Sequence, residues 1–212
     1  MYIIYIVSFC VSAVCAVSFL LLNKKKSKLL CALLKAAASL ALAAPAYRAF
    51  AVSKNIAFLL IALAITVCAC ADLVIHFKFI PGGILFAFAH CLFAPAFIIY
   101  GSKLYVAVIA FVLYAIACAF AFSYFELPAQ TRFPLTVYAA ILGVMTSFAI
   151  SSAFYGEAFG ITAAVSALLF LASDVLLAMT IENKHPAYRD VLVMVLYYMA
   201  LAGFSLACRY CI

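Results

Sequence analysis

A chain of 212 residues with 72% hydrophobic and 9% charged residues and a mean hydropathy of +1.34 lies far outside the range of soluble domains, which carry about 25% charge. The net charge of +7, from 13 basic residues, falls mostly in short connections. That suits anionic lipid headgroups and excludes a nucleic-acid-binding face.

The apolar runs are too long and too uniform for barrel strands, so the backbone must satisfy itself as helices. The expected fold is all-α: a polytopic membrane protein with eight transmembrane helices in a single bundle, residues 1–212 forming one domain. The first span, near 2–22, has no basic segment before it and a lysine run after it (Lys24, Lys25, Lys26, Lys28), so it reads as a retained helix and not a signal peptide. Breaks at charge, Pro and Gly clusters place the rest near 29–46, 55–76, 83–100, 104–123, 135–153, 158–180 and 190–208.

Span 2 contains Lys35. Span 3 ends on Cys68, Cys70 and Asp72, and cysteines two apart on a helix point to different sides. Span 4 holds His90 one turn before Pro95, whose missing N–H tends to kink a helix. The link before span 7 reads Gly156-Glu157-Ala158-Phe159-Gly160, a small-xxx-small pattern of close helix approach. Span 7 holds Asp174, and span 8 holds Tyr197 and Tyr198. The nine cysteines, mostly within spans, behave as small hydrophobes, so a disulfide framework is not expected.

Basic residues on alternate sides of the spans number eight against four, which orients both termini away from the cytoplasm. The thirteenth, Lys35, lies inside a span. Counted along each helix from its cytoplasmic end, Lys35, His90, Asp174 and Tyr197 lie roughly 9–11 Å deep and Asp72 somewhat shallower, so the five share one layer. Asp72 and Asp174 close similar phrases in the third span of each group of four, which is compatible with a parallel duplication, although span 6 has no counterpart of Lys35.

Ionisable groups in lipid are costly and mark functional sites. Two aspartates beside a lysine and a histidine are able to hold different protonation states, as acid and base roles in one site require. The structural reading of the same residues is a Lys35–Asp staple between helices, a histidine as packing glue and tyrosines as packing aromatics. One histidine and two aspartates lack a metal-site spacing, so neither metal nor cofactor is expected.

The chain resembles the lysoplasmalogenase-like YhhN family over about residues 30–208. The resemblance rests on Lys35, Asp72, Gly82, the phrase Phe86-Ala87-Phe88-Ala89-His90, the run Ser166-Ala167-Leu168-Leu169-Phe170-Leu171-Ala172-Ser173-Asp174, and Tyr197-Tyr198. This chain departs from the family's common residues at Ala36, Ala71, Phe93, Ser166 and Leu201.

The resemblance implies hydrolysis of the vinyl-ether bond of lysoplasmalogens to a fatty aldehyde and a glycerophospho-alcohol. It points to Asp72 and Asp174 as acid and base, His90 as a water-orienting or proton-relaying group, and Lys35 with Tyr197 in substrate binding. The partner is then a lysophospholipid within the membrane. Two other classes stay open: a proton-coupled transporter, which intramembrane Asp, His and Lys also suit, and a lipid-binding protein without turnover.

Overall fold

The computed structural model describes residues 2–22, 27–124, 129–180 and 187–211; Lys24, Lys25, Lys26 and Lys184 of the orientation count lie outside them. The helices are α1 (Tyr2–Leu22), α2 (Lys28–Ser53), α3 (Ile56–Ile75), α4 (Phe79–Tyr100), α5 (Leu104–Tyr124), α6 (Ala129–Ala153), α7 (Ala158–Thr180) and α8 (Ala187–Ala207). A short 3₁₀ turn follows at Cys208–Cys211. All eight are long and apolar enough to cross a membrane, and no strand occurs among the described residues. The chain is a multi-pass membrane protein.

Four boundaries differ from the sequence expectation, and the causes are local. α2 runs through Pro45 and Arg48 to Ser53, because a membrane helix tolerates an internal proline when neighbouring groups take up the freed carbonyl. It ends at Lys54, whose left-handed backbone (φ 58°) lets its N–H reach the Phe50 carbonyl at 2.8 Å. Asn55 then caps α3, its side chain accepting from the Ala57 N–H at 2.9 Å.

α4 begins at Phe79, so Pro81 occupies the first turn, where a missing N–H costs nothing. α6 likewise begins six residues early and carries Pro134 inside it. α8 begins at Ala187, with Asp190 in its first turn facing the favourable end of the helix dipole.

The helices pack in chain order, α1 to α4 in one half and α5 to α8 in the other. Across the halves, α4 meets α6 and α8 meets α2. Shifting each helix number by four converts one of these crossings into the other, so the halves embrace reciprocally. α8 also touches α1 and α3, and α5 lies at the periphery against α6.

Small residues allow close approach, since lipid offers no hydrophobic drive between helices. Alanines of α2, α3, α4, α7 and α8 are fully buried. Gly160 faces the Ser152 carbonyl so closely that a Cβ would sit 2.2 Å from it, whereas Gly156 has open space and a φ of +75°. The small-xxx-small pair is thus one contact and one turn. Phe93, Phe97 and Phe204 form an aromatic core, with centroids 4.5 Å apart for Phe93–Phe204, and Tyr100 stacks on Phe159 at 3.6 Å.

Candidate functional site

The polar side chains gather in two clusters. In the first, Asp72 of α3 is buried and three donors converge on it. Lys35 Nζ lies 3.6 Å from Oδ1, while Ser39 and Tyr197 both donate to Oδ2, Tyr197 at 2.7 Å. The Ser39 and Tyr197 hydroxyls are themselves 3.1 Å apart. Tyr198, the next residue on α8, reaches the Lys35 carbonyl at 3.2 Å. Phe19 of α1 presents its ring 5.6 Å from Lys35 Nζ, a cation–π contact that offsets part of the ammonium's lost hydration.

In the second cluster, Tyr138 of α6 donates to Asp174 Oδ2 at 2.6 Å, and its oxygen lies 3.2 Å from His90 Nε2. His90 Nε2 is also 3.6 Å from Asp174 Oδ2. Since the Tyr138 proton goes to the carboxylate, its oxygen is left to accept, and the imidazole nitrogen facing it carries the hydrogen. The Asp72 side chain is 2% exposed and that of Asp174 12%, so the second carboxyl is the more accessible.

Aromatic edges join the clusters. Phe170 lies 4.8 Å from the His90 ring and 5.4 Å from Tyr197, and Phe86 lies 5.7 Å from Tyr197. Cys68 is wholly buried one turn before Asp72. Cys70 faces outward, as the spacing requires.

All five sequence candidates therefore meet partners, but in two neighbouring groups. Their distances from the observed helix ends are unequal. Asp72 lies about 4 Å from its helix end and Tyr197 about 15 Å from its own, yet the two touch, because the helix ends are staggered.

The reciprocal packing recurs in the chemistry. Asp72 draws partners from α2 and α8, and Asp174 from α6 and α4. Each acid is completed by the helix before it and by the fourth helix of the other half.

Ser39 and Tyr138 were not among the sequence candidates. Ser39 was findable, since it follows Lys35 by four residues on the same helix face. Tyr138 was hidden by starting span 6 at 135, just after Pro134; measured from Ala129 it lies about 13 Å in, comparable with the others.

At the rim, His76 follows the last residue of α3, its ring edge-on to Phe19 at 6.3 Å. Partial burial, then the charges of Lys35 and Lys28, hold its pKa below the ordinary 6.5. Glu157 is exposed at the start of α7 and accepts from the Tyr100 hydroxyl.

Compared with known families, the chain matches the model of the YhhN family over residues 30–208. No curated protein and no solved structure matches it.

Proposed function

The chain belongs to the YhhN family, and from that premise we propose that it is an integral membrane hydrolase that cleaves the vinyl-ether bond of lysoplasmalogens. The observation that carries the reading is the pair of differently furnished carboxyls, one converged on by a cation and two hydroxyls, the other linked through a tyrosine to a histidine.

Vinyl-ether hydrolysis consumes one water. A carboxylic acid protonates the β-carbon, the α-carbon becomes an oxocarbenium-like cation, water adds there with loss of a proton, and the hemiacetal collapses to aldehyde and alcohol. The step needs a proton donor and an anionic partner for the cation, the division glycosidases also use. Asp72, with three donors directed at it, suits the anionic role. Asp174 suits the donor role: Oδ2 accepts from Tyr138, Oδ1 is left to carry the proton, and its side chain is the more exposed. His90 with Tyr138 resupplies that proton or takes one from the attacking water. Lys35 holds the substrate phosphate or steadies Asp72, and Tyr197 orients the same carboxylate. The excess of basic residues on one side favours both termini on the side away from the cytoplasm, an orientation in which the lysine-bearing rim faces the inner leaflet.

The test is aldehyde release by purified protein from vinyl-ether and acyl lysolipids. Aldehyde from the vinyl ethers, lost in folded Asp72→Asn and Asp174→Asn proteins, is expected. Release at the parent rate by either variant overturns the assignment, and turnover of acyl lipids alone overturns the reaction. Uptake by proteoliposomes without any product would instead identify a transporter.

A further inference from the structure

α1 lies outside the matched region, yet it shapes the surroundings of the first cluster. Besides the Phe19 contact with Lys35, it forms one wall of a groove of about 280 Å³ whose other walls are α2 and α8. Along α1 the groove runs from Phe9 to Leu20, roughly 16 Å at 1.5 Å per residue. That is about half of a ~30 Å hydrocarbon core, the depth of one leaflet.

Its floor is apolar, with Ala13, Ala16 and Ala202 giving width. Its polar end is not isolated from the site. Tyr198 lines the groove and bonds the Lys35 carbonyl, and Leu42, which also lines it, follows Ser39 by one turn on α2. The groove is therefore hydrocarbon along most of its length, and its Leu20 end adjoins Phe19, whose ring faces the Lys35 ammonium.

We infer that this α1–α2–α8 groove holds the single hydrocarbon chain of a lysolipid whose polar part lies at Lys35 and Asp72. The inference rests on the proposed reaction for the identity of the lipid. The volume is below the roughly 300–1,000 Å³ of drug-sized ligand sites and takes one chain, not two, which matches the one chain of a lysolipid. Because α1 supplies one wall along the groove's whole length, it sets the chain length accepted.

The experiment uses a phosphate-bearing lysolipid with a diazirine near the end of its chain, photolysed with the full-length protein in membranes and mapped by mass spectrometry. Labels concentrated on α1 and α8 around Phe9, Ala13 and Met199, and several-fold fewer on the lipid-facing side of α5, are expected. Labelling of α5 to the same extent means annular lipid only and overturns the groove.

Kinetics give a second measurement. For monomeric substrate drawn from water, a methylene that enters the groove lowers the parent KM by up to about fourfold, and Ala16→Phe should end that trend at a shorter chain while leaving turnover of short-chain substrate intact. An unchanged chain-length profile in folded Ala16→Phe also overturns the inference. Should the parent release no aldehyde, the proposed reaction fails, while the labelling pattern still decides the groove.

Discussion

Tyr138 donates to Asp174 across 36 positions of sequence at 2.6 Å, the contact that ties α6 to α7 inside the second cluster. Because the same phenol oxygen faces His90, removing it strips both residues at once. Tyr138→Phe is expected to lower kcat about 10²-fold or more, the range for disturbed acid–base groups, with little change in KM. The melting transition should fall by about 1–2 kcal/mol for the lost buried hydrogen bonds. Steady-state kinetics beside thermal melts check this; a lower melt with kcat intact would leave Tyr138 a purely structural residue.

The Lys35–Asp72 pair separates a working site from a helix staple. Lys35→Met leaves Asp72 buried without its cation, and breaking such a pair costs about 3–5 kcal/mol at full burial, less here because Lys35 keeps some exposure. Lys35→Met with Asp72→Asn removes both charges and should recover part of that stability, with a coupling of about 0.5–3 kcal/mol. Aldehyde release should stay lost in the double variant. Recovery of activity along with stability would make the pair a staple only.

Much of this arrangement was readable from residue identity alone, because charges in lipid have few innocent explanations. Lys35, Asp72, His90, Asp174 and Tyr197 stand out within apolar helices, and each makes a polar contact in the structure. Their division into two clusters was not readable, since it depends on helix stagger and on which helices cross between the halves. Prolines misled most. Pro81 and Pro134 read as breaks but lie inside helices, which shortened spans 4 and 6 and concealed Tyr138. The reciprocal embrace of the halves was visible only as two similar aspartate phrases, because the partners from α2, α4, α6 and α8 share no sequence pattern.

Neighbouring glycines in α4 should respond oppositely to alanine. A Cβ on Gly82 would lie 2.5 Å from the Ile75 Cβ and 2.6 Å from its Cα, so α3 and α4 would have to part, whereas Gly83 has nothing within 4 Å. Gly82→Ala is expected to destabilise by about 1–3 kcal/mol through overpacking. Gly83→Ala should stabilise by about 0.5–1 kcal/mol by lowering the entropy of the unfolded chain. Thermal melts of both in one detergent test the contrast, and equal shifts in one direction would contradict the α3–α4 contact.

His76 gives the rim a pH dependence whose sign follows from its surroundings. Burial and the positive charges of Lys35 and Lys28 hold its folded pKa below 6.5, so between the two values the unfolded chain binds the extra proton. Stability from this group is therefore fully present above pH 6.5 and is lost as pH falls below it toward the folded value. His76→Gln, which cannot titrate, should flatten the melting temperature against pH below 6.5 and leave the value at pH 8 nearly unchanged. Lys35→Met should move the folded pKa of His76 back toward 6.5 and weaken the same slope, because it removes the cation with the larger effect on it. Melts from pH 5 to 8 for the parent and both variants decide it: a parent slope that persists in His76→Gln would place the responsible group elsewhere.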